Sequence, residues 1–93
     1  MFNPTLHQPI RSNLMALLIR EGELPFKAIK EELNLTDGNL ASHIKKLESE
    51  ELVEVEKFFE GKKPKTLLKV TDKGKDEFKK YIQELKQFIG DLS

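Results

Sequence analysis

Side chains that can hydrogen-bond to nucleic acid recur at helical spacing between residues 33 and 52. Leu40, Ile44 and Leu47 fall on one side of a helix with 3.6 residues per turn, so that side is predicted to face a core. The other side carries small, polar and cationic residues: Gly38, Asn39, Ser42, Lys45, Lys46 and Ser49. Asparagine, serine and lysine can each bond to a phosphate or to a base edge, which indicates a DNA-contacting face. An ordinary solvated helix face is the alternative.

A cluster of lysines follows this helix, since residues 57–75 contain seven lysines and only two acidic residues. Apolar and polar side chains alternate over residues 53–59 and again over 66–70, on either side of a turn predicted at 60–64. The pattern predicts a β-hairpin with a lysine-rich tip. Repelling cations add no stability to such a tip, so the cluster indicates a polyanionic partner, with a solubilising tip as the alternative. Two aromatic residues are predicted to pack beneath the hairpin rather than to stack on bases: Phe58 and Phe59.

Two helices are predicted to precede the polar one. Pro9 suits the first turn of a helix that Gly22 ends, after a short arm over residues 1–5. Residues 23–25 are long enough only for a strand stub, and an apolar stripe then marks a short second helix. The stripes of the two helices are Ile10, Leu14, Leu17 and Leu18 in the first, and Phe26, Ile29 and Leu33 in the second.

The link between the second helix and the polar helix has the features of a tight turn. Asn34 is predicted to end the second helix in the left-handed conformation, Leu35 to fill the turn, and Thr36 to cap the next helix. A helix, a tight turn with a buried leucine and a capped helix make a helix-turn-helix.

A long amphipathic helix is predicted after the hairpin, over residues 72–92. Thr71 is its predicted cap, and Gly74 is expected to let it approach the hairpin closely. Its apolar residues recur every three or four positions, close to a heptad seam: Phe78, Tyr81, Ile82, Leu85, Phe88, Ile89 and Leu92. So long a stripe is predicted to pack on a second copy of the chain, making 72–92 a C-terminal dimerisation helix. The alternative is that the helix folds back on its own domain.

Composition limits the class of protein. Its 93 residues suit a single domain over 1–93, mainly α with a small β-hairpin, and the absence of cysteine excludes thiolate metal sites and fits a reducing cytoplasm. No signal peptide, membrane-spanning run, phosphate-binding glycine loop or catalytic constellation is visible, so neither an enzyme nor a membrane protein is expected. No cofactor or metal is expected, and His7 is predicted to be structural or exposed. The net charge of zero argues mildly against nucleic acid, although its distribution matters more.

Three sequence motifs resemble those of winged helix-turn-helix transcriptional regulators. The segment LNLTDGNLASHIKKLESEELVEVEK is similar to the recognition segment of ArsR-like and MarR-like repressors, above all of small archaeal-type members with TDGNL followed by S-H-(apolar)-K-K-L. LHQPIRSNLMALL resembles the first-helix entry of the same group, and KVTDKGKDEF its T-x-x-G signature after the wing. The resemblance covers residues 6–90 and implies the order α-(β)-α-α-β-β-α. Lys30 and Asn34 depart from the small residue and the glycine that many such segments have there.

The resemblance implies specific DNA contacts. Four residues of the polar helix are expected in the major groove, Arg11 at a phosphate, and three wing lysines on the backbone or in the minor groove. The groove residues are Asn39, Ser42, His43 and Lys46, and the wing lysines are Lys62, Lys63 and Lys65. Thr36 is a cap first, although backbone N–H groups beside it could meet a phosphate. Alternatives are an edge position for His43, an ion pair with Glu48 or Glu50 for Lys46, and a local backbone bond for Asn39.

The sequence therefore predicts a homodimeric, sequence-specific double-stranded DNA-binding regulator, with repression favoured by the family likeness. A pseudo-palindromic site with half-sites about one helical turn apart would match the two-fold symmetry. The runner-up is a winged helix that binds another protein instead of DNA. A small-molecule effector between the first and last helices is conceivable, but the sequence names no ligand.

Overall fold

Seven elements follow one another in the computed structural model, which describes residues 2–92. They confirm the predicted order and the predicted winged helix architecture. Their bounds are α1 Pro9–Glu21, β1 Glu23–Pro25, α2 Phe26–Leu33, α3 Asp37–Ser49, β2 Val53–Glu60, β3 Lys63–Val70 and α4 Asp72–Leu92. The three strands form one antiparallel sheet in the order β1-β3-β2.

Local signals define α1. Pro9 stands in its first turn, and the side chain of Gln8 accepts a hydrogen bond from the backbone N–H of Arg11 at 2.8 Å. Gly22 ends the helix with a φ of 86°, and its N–H donates to the carbonyl of Leu18. Because that φ suits glycine far better than any residue with a Cβ, the predicted end of the helix is confirmed. The stripe buried by α1 consists of Leu14, Met15 and Leu18.

The turn between α2 and α3 is the predicted one. Asn34 adopts the left-handed conformation with a φ of 54°, and the hydroxyl of Thr36 accepts from the N–H of Asn39 at 3.2 Å. Lys30 points outward and pairs with Asp37 at 2.9 Å, so it joins the end of α2 to the start of α3. The buried side of α3 is formed by Leu40, Ile44 and Leu47, as predicted.

The hairpin is longer and tighter than predicted. Its strands pair from Val53 opposite Val70 to Glu60 opposite Lys63, which leaves a two-residue turn at Gly61 and Lys62. Lys63 and Pro64 therefore belong to β3 instead of the turn that was predicted over 60–64. Gly61 has a φ of 65°, as such short hairpin turns require.

The short arm predicted over residues 1–5, of which Met1 lies outside the described residues, packs against the rest of the domain. Thr5 and Leu6 are buried, and the side chain of Asn3 accepts from the backbone N–H of Thr5 at 2.9 Å. Ser12 donates to the carbonyl of Leu6 at 2.6 Å, which attaches this segment to α1.

Thr71 and Gly74 fix the start of α4. The hydroxyl of Thr71 accepts from the N–H of Gly74 at 2.8 Å and donates to the carbonyl of Glu51 at 2.6 Å. A Cβ at Gly74 would overlap the carbonyl oxygen of Leu52, so the predicted close approach is confirmed. The radius of gyration is 14.2 Å, against about 12 Å for an ordinary domain of this length, and the longest dimension is 54 Å. The molecule is thus elongated.

Candidate nucleic-acid interface

The polar side of α3 is open to solvent, as the sequence predicted. Asn39 and Ser42 are exposed, and neither side chain has a hydrogen-bond partner among residues 2–92. The alternative in which the amide of Asn39 satisfies the nearby backbone is therefore not what the structure has. Two side chains with free donors and acceptors on one helical face can read base edges.

The lysines of α3 point in different directions. Lys46 pairs with Glu50, one turn further along the helix, at 3.5 Å. An exposed ion pair of this kind contributes at most about 0.5 kcal/mol, so a phosphate can take the place of Glu50 at little cost. Lys45 instead lines a groove between α3 and the hairpin, together with Ala41, Lys57 and Thr66.

Lys57 belongs to the lysine cluster counted over residues 57–75, but the sequence did not predict it as a DNA contact. Residues alternate between the two faces of a strand, and Lys57 stands opposite Thr66 on the face that also carries Val55 and Leu68. Its ammonium is thus directed to the side of the hairpin that α3 covers. The alternation of β2 carried this information, but only the position of α3 shows that Lys57 and Lys45 line the same groove.

The three predicted wing lysines are exposed at or beside the hairpin tip. Lys62 lies in the turn, Lys63 opposite Glu60, and Lys65 opposite Phe58. Within the described residues none of the three ammonium groups forms an ion pair. A tip of unpaired cations on a projecting ribbon attracts a polyanion.

Lys69, at the base of the hairpin, does not belong to this positive tip. Its ammonium lies 3.0 Å from Glu56 and 3.9 Å from Glu23, so it ties the three strands together. The hydrogen bond to Glu56 and then the charges of Glu56 and Glu23 raise the pKa of Lys69. The positive charge of the hairpin is therefore concentrated toward its end.

The expectation that Phe58 and Phe59 pack beneath the hairpin was wrong. Phe58 is 40% exposed, and Phe59 is 74% exposed. Two neighbouring strand residues point to opposite faces, and the buried residues of this hairpin, Val53 and Leu68, lie near its base, away from Phe58 and Phe59. Neither ring therefore has a core to enter.

His43 and Arg11 contact each other across the start of α1 and the middle of α3. Nη1 of Arg11 lies 3.1 Å from Nδ1 of His43, and Nε of Arg11 donates to the carbonyl of Thr5 at 2.6 Å. Burial, followed by the positive charge of Arg11, lowers the pKa of His43 below the usual value near 6.5. Arg11, expected at a phosphate, is thus bound within its own chain.

The apolar stripe of α4 divides into two parts. Phe78, Ile82 and Leu85 are half-buried against the core, whereas Phe88 is 50%, Ile89 57% and Leu92 74% exposed. Tyr81 does not belong to an open seam, because it is only 6% exposed and its hydroxyl lies 3.0 Å from Nδ1 of His7. Phe2 stacks on His7 and meets Tyr81 edge to face, which covers that ring within its own chain. The prediction that Tyr81 lies in a dimer seam is corrected accordingly.

Two further kinds of site are not found in the described part of the chain. Residues 2–92 contain no group of three histidine, cysteine, aspartate or glutamate side chains placed to hold a metal ion. None of the described helices is long and apolar enough to cross a membrane.

Sequence comparison agrees with this geometry. A family described as winged helix DNA-binding domain matches residues 10–89. The chain belongs to the winged helix DNA-binding family. The family and the related structure from Pyrococcus horikoshii are those of transcriptional regulators, which are not enzymes. In this fold α3 is the second helix of the helix-turn-helix, and the hairpin of β2 and β3 is the wing.

Several known proteins are similar over most of this chain. An uncharacterised protein of Methanocaldococcus jannaschii is 45% identical over 78 residues, which are 84% of this chain and 85% of that protein. The structure of a transcriptional regulator homologue from Pyrococcus horikoshii OT3 is 37% identical, with a TM-score of 0.90 over 96% of this chain and 88% of that one. PadR of Bacillus subtilis in complex with operator DNA shares the fold, with 23% identity and a TM-score of 0.69 over 81% of this chain and 47% of PadR.

Proposed function

We propose that this winged helix protein binds a specific double-stranded DNA sequence as a homodimer and represses transcription there. The observation that carries the proposal is the exposed polar face of α3 together with a hairpin tip whose lysines form no ion pair within residues 2–92. The face provides donors and acceptors for bases, and the tip provides charge for phosphates. The known regulators that share the fold, among them PadR with its operator DNA, support the same assignment.

Asn39 and Ser42 are the proposed base readers. Both lie in the first half of α3, and the N-terminal residues of a helix inserted in the major groove come closest to the base edges. Asparagine can form a paired hydrogen bond to adenine, and serine can bond to several bases. Lys46 then lies one turn further along, where its ammonium can exchange Glu50 for a phosphate.

Thr36 and the wing lysines are the proposed backbone contacts. The hydroxyl of Thr36 is engaged as the cap, but the N–H groups of the first turn of α3 point out of the helix end and favour an anion. Lys62, Lys63 and Lys65 would bind phosphates flanking the major-groove contact. Lys57 and Lys45 add two cations in the groove between α3 and the hairpin.

The end of α4 supports the proposed homodimer. The helix has 21 residues and is therefore about 31 Å long, and its last two turns carry three exposed apolar side chains. Exposed apolar residues in one stripe are stabilised when a second stripe covers them. An isologous pairing of two α4 helices covers both stripes at once, because each helix supplies the same surface to the other.

The two-fold symmetry of such a dimer determines the form of the DNA site. Two copies of α3 would enter successive major grooves, so the half-sites would be inverted repeats about one helical turn apart. Repression by excluding polymerase from a promoter is proposed in preference to activation by analogy with the ArsR-like and MarR-like repressors that the sequence resembles.

Selection of bound sequences from random double-stranded DNA, using the purified protein, tests the proposal. We expect a pseudo-palindromic consensus with two equal half-sites. Asn39→Ala should then weaken binding to that consensus by about 1–3 kcal/mol and leave binding to random DNA nearly unchanged. Asn13→Ala is the matched control, because Asn13 is an exposed asparagine on α1, away from the polar face.

A mobility-shift titration at several salt concentrations separates DNA binding from the alternative of a protein-binding winged helix. Counterion release makes specific and non-specific DNA binding weaken steeply as salt rises. If the protein bound no duplex even in dilute buffer, the proposed function would be wrong.

A further inference from the structure

The hydrogen bond between Arg11 and His43 determines which nitrogen of the imidazole carries a proton. A guanidinium group has donors only, so at 3.1 Å from Nη1 the Nδ1 atom of His43 must be the acceptor. A neutral imidazole has one protonated and one unprotonated nitrogen. The proton of His43 therefore lies on Nε2.

Nε2 of His43 is available to a ligand. It has no hydrogen-bond partner among residues 2–92. Every buried side-chain nitrogen or oxygen in that range does have a partner, so Nε2 must reach solvent. The ring thus presents one free donor and no free acceptor.

His43 lies within the polar face proposed to meet DNA. It is four residues after Asn39 and three before Lys46, which are the spacings of neighbours on one helical face. Ser42 is adjacent in the chain and lies on the same side. A donor at this position is surrounded by the proposed base readers.

Arg11 is held so that it can orient the ring. Its Nε donates to the carbonyl of Thr5 at 2.6 Å while Nη1 reaches His43, so two of the three guanidinium nitrogens are engaged. Thr5 is only 3% exposed, and its hydroxyl donates to a carboxylate oxygen of Glu50, at the end of α3. The burial of His43 and the charge of Arg11 lower the pKa of His43, which favours the neutral ring at neutral pH.

We propose that Arg11 is a positioning residue that keeps the proton of His43 on Nε2 and directs this donor at a hydrogen-bond acceptor of DNA. The proposal rests on the proposed function and assigns Arg11 a role different from the phosphate contact expected from the sequence. The acceptor is N7 of guanine in the major groove or a phosphate oxygen, since both accept from a neutral N–H.

The first test uses the free protein in solution. The two ring nitrogens of 15N-labelled histidine have different NMR shifts when protonated and unprotonated. At pH 7.5 we expect Nδ1 of His43 to be unprotonated and Nε2 protonated. In Arg11→Met we expect the pKa of His43 to rise, because the neighbouring cation is gone. A protonated Nδ1 in the native protein would overturn the proposal without any reference to DNA.

The second test measures the affinity of variants for the selected DNA site. His43→Ala should lose roughly three- to tenfold in affinity where the acceptor is guanine N7, the amount expected from one hydrogen bond between neutral groups, and more where it is a charged phosphate oxygen. Arg11→Met and Arg11→Lys should show the same loss, and the double variant with His43→Ala should lose no more than His43→Ala alone. A lysine cannot reach both Thr5 and His43, although it keeps the charge that a phosphate contact needs. Arg20→Met is the control, since Arg20 is an exposed arginine at the far end of α1.

The salt dependence of DNA binding distinguishes an Arg11 that positions His43 from an Arg11 that binds a phosphate. If Arg11 bound a phosphate, Arg11→Met would reduce the salt slope by about one and Arg11→Lys would restore it, which would overturn the proposal. An unchanged slope in both variants supports it. Thermal unfolding of each variant verifies that it is folded, and the NMR test on the native protein does not depend on any variant.

Modified DNA identifies the acceptor. Replacing guanines with 7-deazaguanine removes N7, and methylphosphonate linkages remove a phosphate oxygen, each at one position at a time. One of these changes should abolish the difference between the native protein and His43→Ala. If neither does, His43 has no acceptor on DNA and the proposal fails, even though binding itself would keep the proposed function intact.

Discussion

Gly74→Ala should destabilise the protein, although an alanine normally stabilises a helix relative to glycine. At an open helix position the exchange gains up to about 1 kcal/mol. At Gly74 the new methyl group would overlap the carbonyl oxygen of Leu52 and come within 3.1 Å of a methyl group of Val70. That carbonyl is fixed by the backbone N–H of Thr71, which donates to it at 3.2 Å, so it cannot turn aside.

The expected loss of unfolding free energy in Gly74→Ala follows from the shift of α4 that the new methyl group requires. Relief of the overlap requires α4 to shift away from Leu52, which weakens the bonds that Thr71 makes to Gly74 and to Glu51. Overpacking costs about 1–3 kcal/mol and loss of a cap about 1 kcal/mol, against the gain of about 1 kcal/mol in helix propensity. The net loss is about 1–3 kcal/mol, or roughly 5–20 °C in Tm for a domain of this size.

The assay is thermal unfolding followed by circular dichroism, at one fixed protein concentration because dimer formation would shift Tm. Gly38→Ala is the matched control. Nothing lies within 4 Å of a Cβ at Gly38 in α3, so this variant should be as stable as the native protein or slightly more stable. If Gly74→Ala were equally stable, the close approach of α4 to Leu52 would be refuted.

Three further predictions concern the DNA surface, the dimer and pH. Lys62→Ala combined with Lys63→Ala should weaken binding to all DNA sequences and reduce the salt slope by up to about two, and a change confined to the consensus would contradict the proposed role of the tip. Ile89→Asp should raise the dimer Kd on the order of a hundredfold in sedimentation experiments, because each copy loses about 1–1.5 kcal/mol of stabilisation from burying the isoleucine side chain. Gln83→Asp, on the opposite face of α4, should have little effect. Folding lowers the pKa of His43, so the contribution of His43 to the unfolding free energy is complete above about pH 6.5 and is progressively lost as pH falls through the folded-state pKa. The unfolding free energy of His43→Gln should therefore fall less between pH 7.5 and pH 5.5 than that of the native protein, as measured by denaturant unfolding.

Local rules made the helix ends readable from the sequence. The start of α1 at Pro9, the left-handed Asn34 and the caps at Thr36 and Thr71 each involve atoms within about four residues. Hydrogen bonds over such short separations depend on residue type and very little on the rest of the molecule. The same holds for the polar side of α3, because its periodicity alone separates it from the buried side.

Contacts between residues that are far apart in the sequence could not be predicted from local sequence rules. Arg11 and His43 are 32 positions apart, and His7 and Tyr81 are 74 positions apart. No pattern along the chain indicates such pairs, because they meet only when α1, α3 and α4 have taken their relative positions. The sequence therefore predicted a phosphate contact for Arg11 and a seam position for Tyr81 without indicating their contacts to His43 and His7.

The sequence by itself determined that the chain forms a helix-turn-helix followed by a hairpin and an amphipathic helix, since each of these depends on periodicity, caps and turn residues. Only the tertiary structure decided which side chains remain free to act. It leaves Phe59 in solvent, neutralises Lys69 with Glu56, and commits Arg11 to Thr5 and His43. The physical reason is that availability depends on which groups from other elements lie within hydrogen-bond distance, and packing alone determines that.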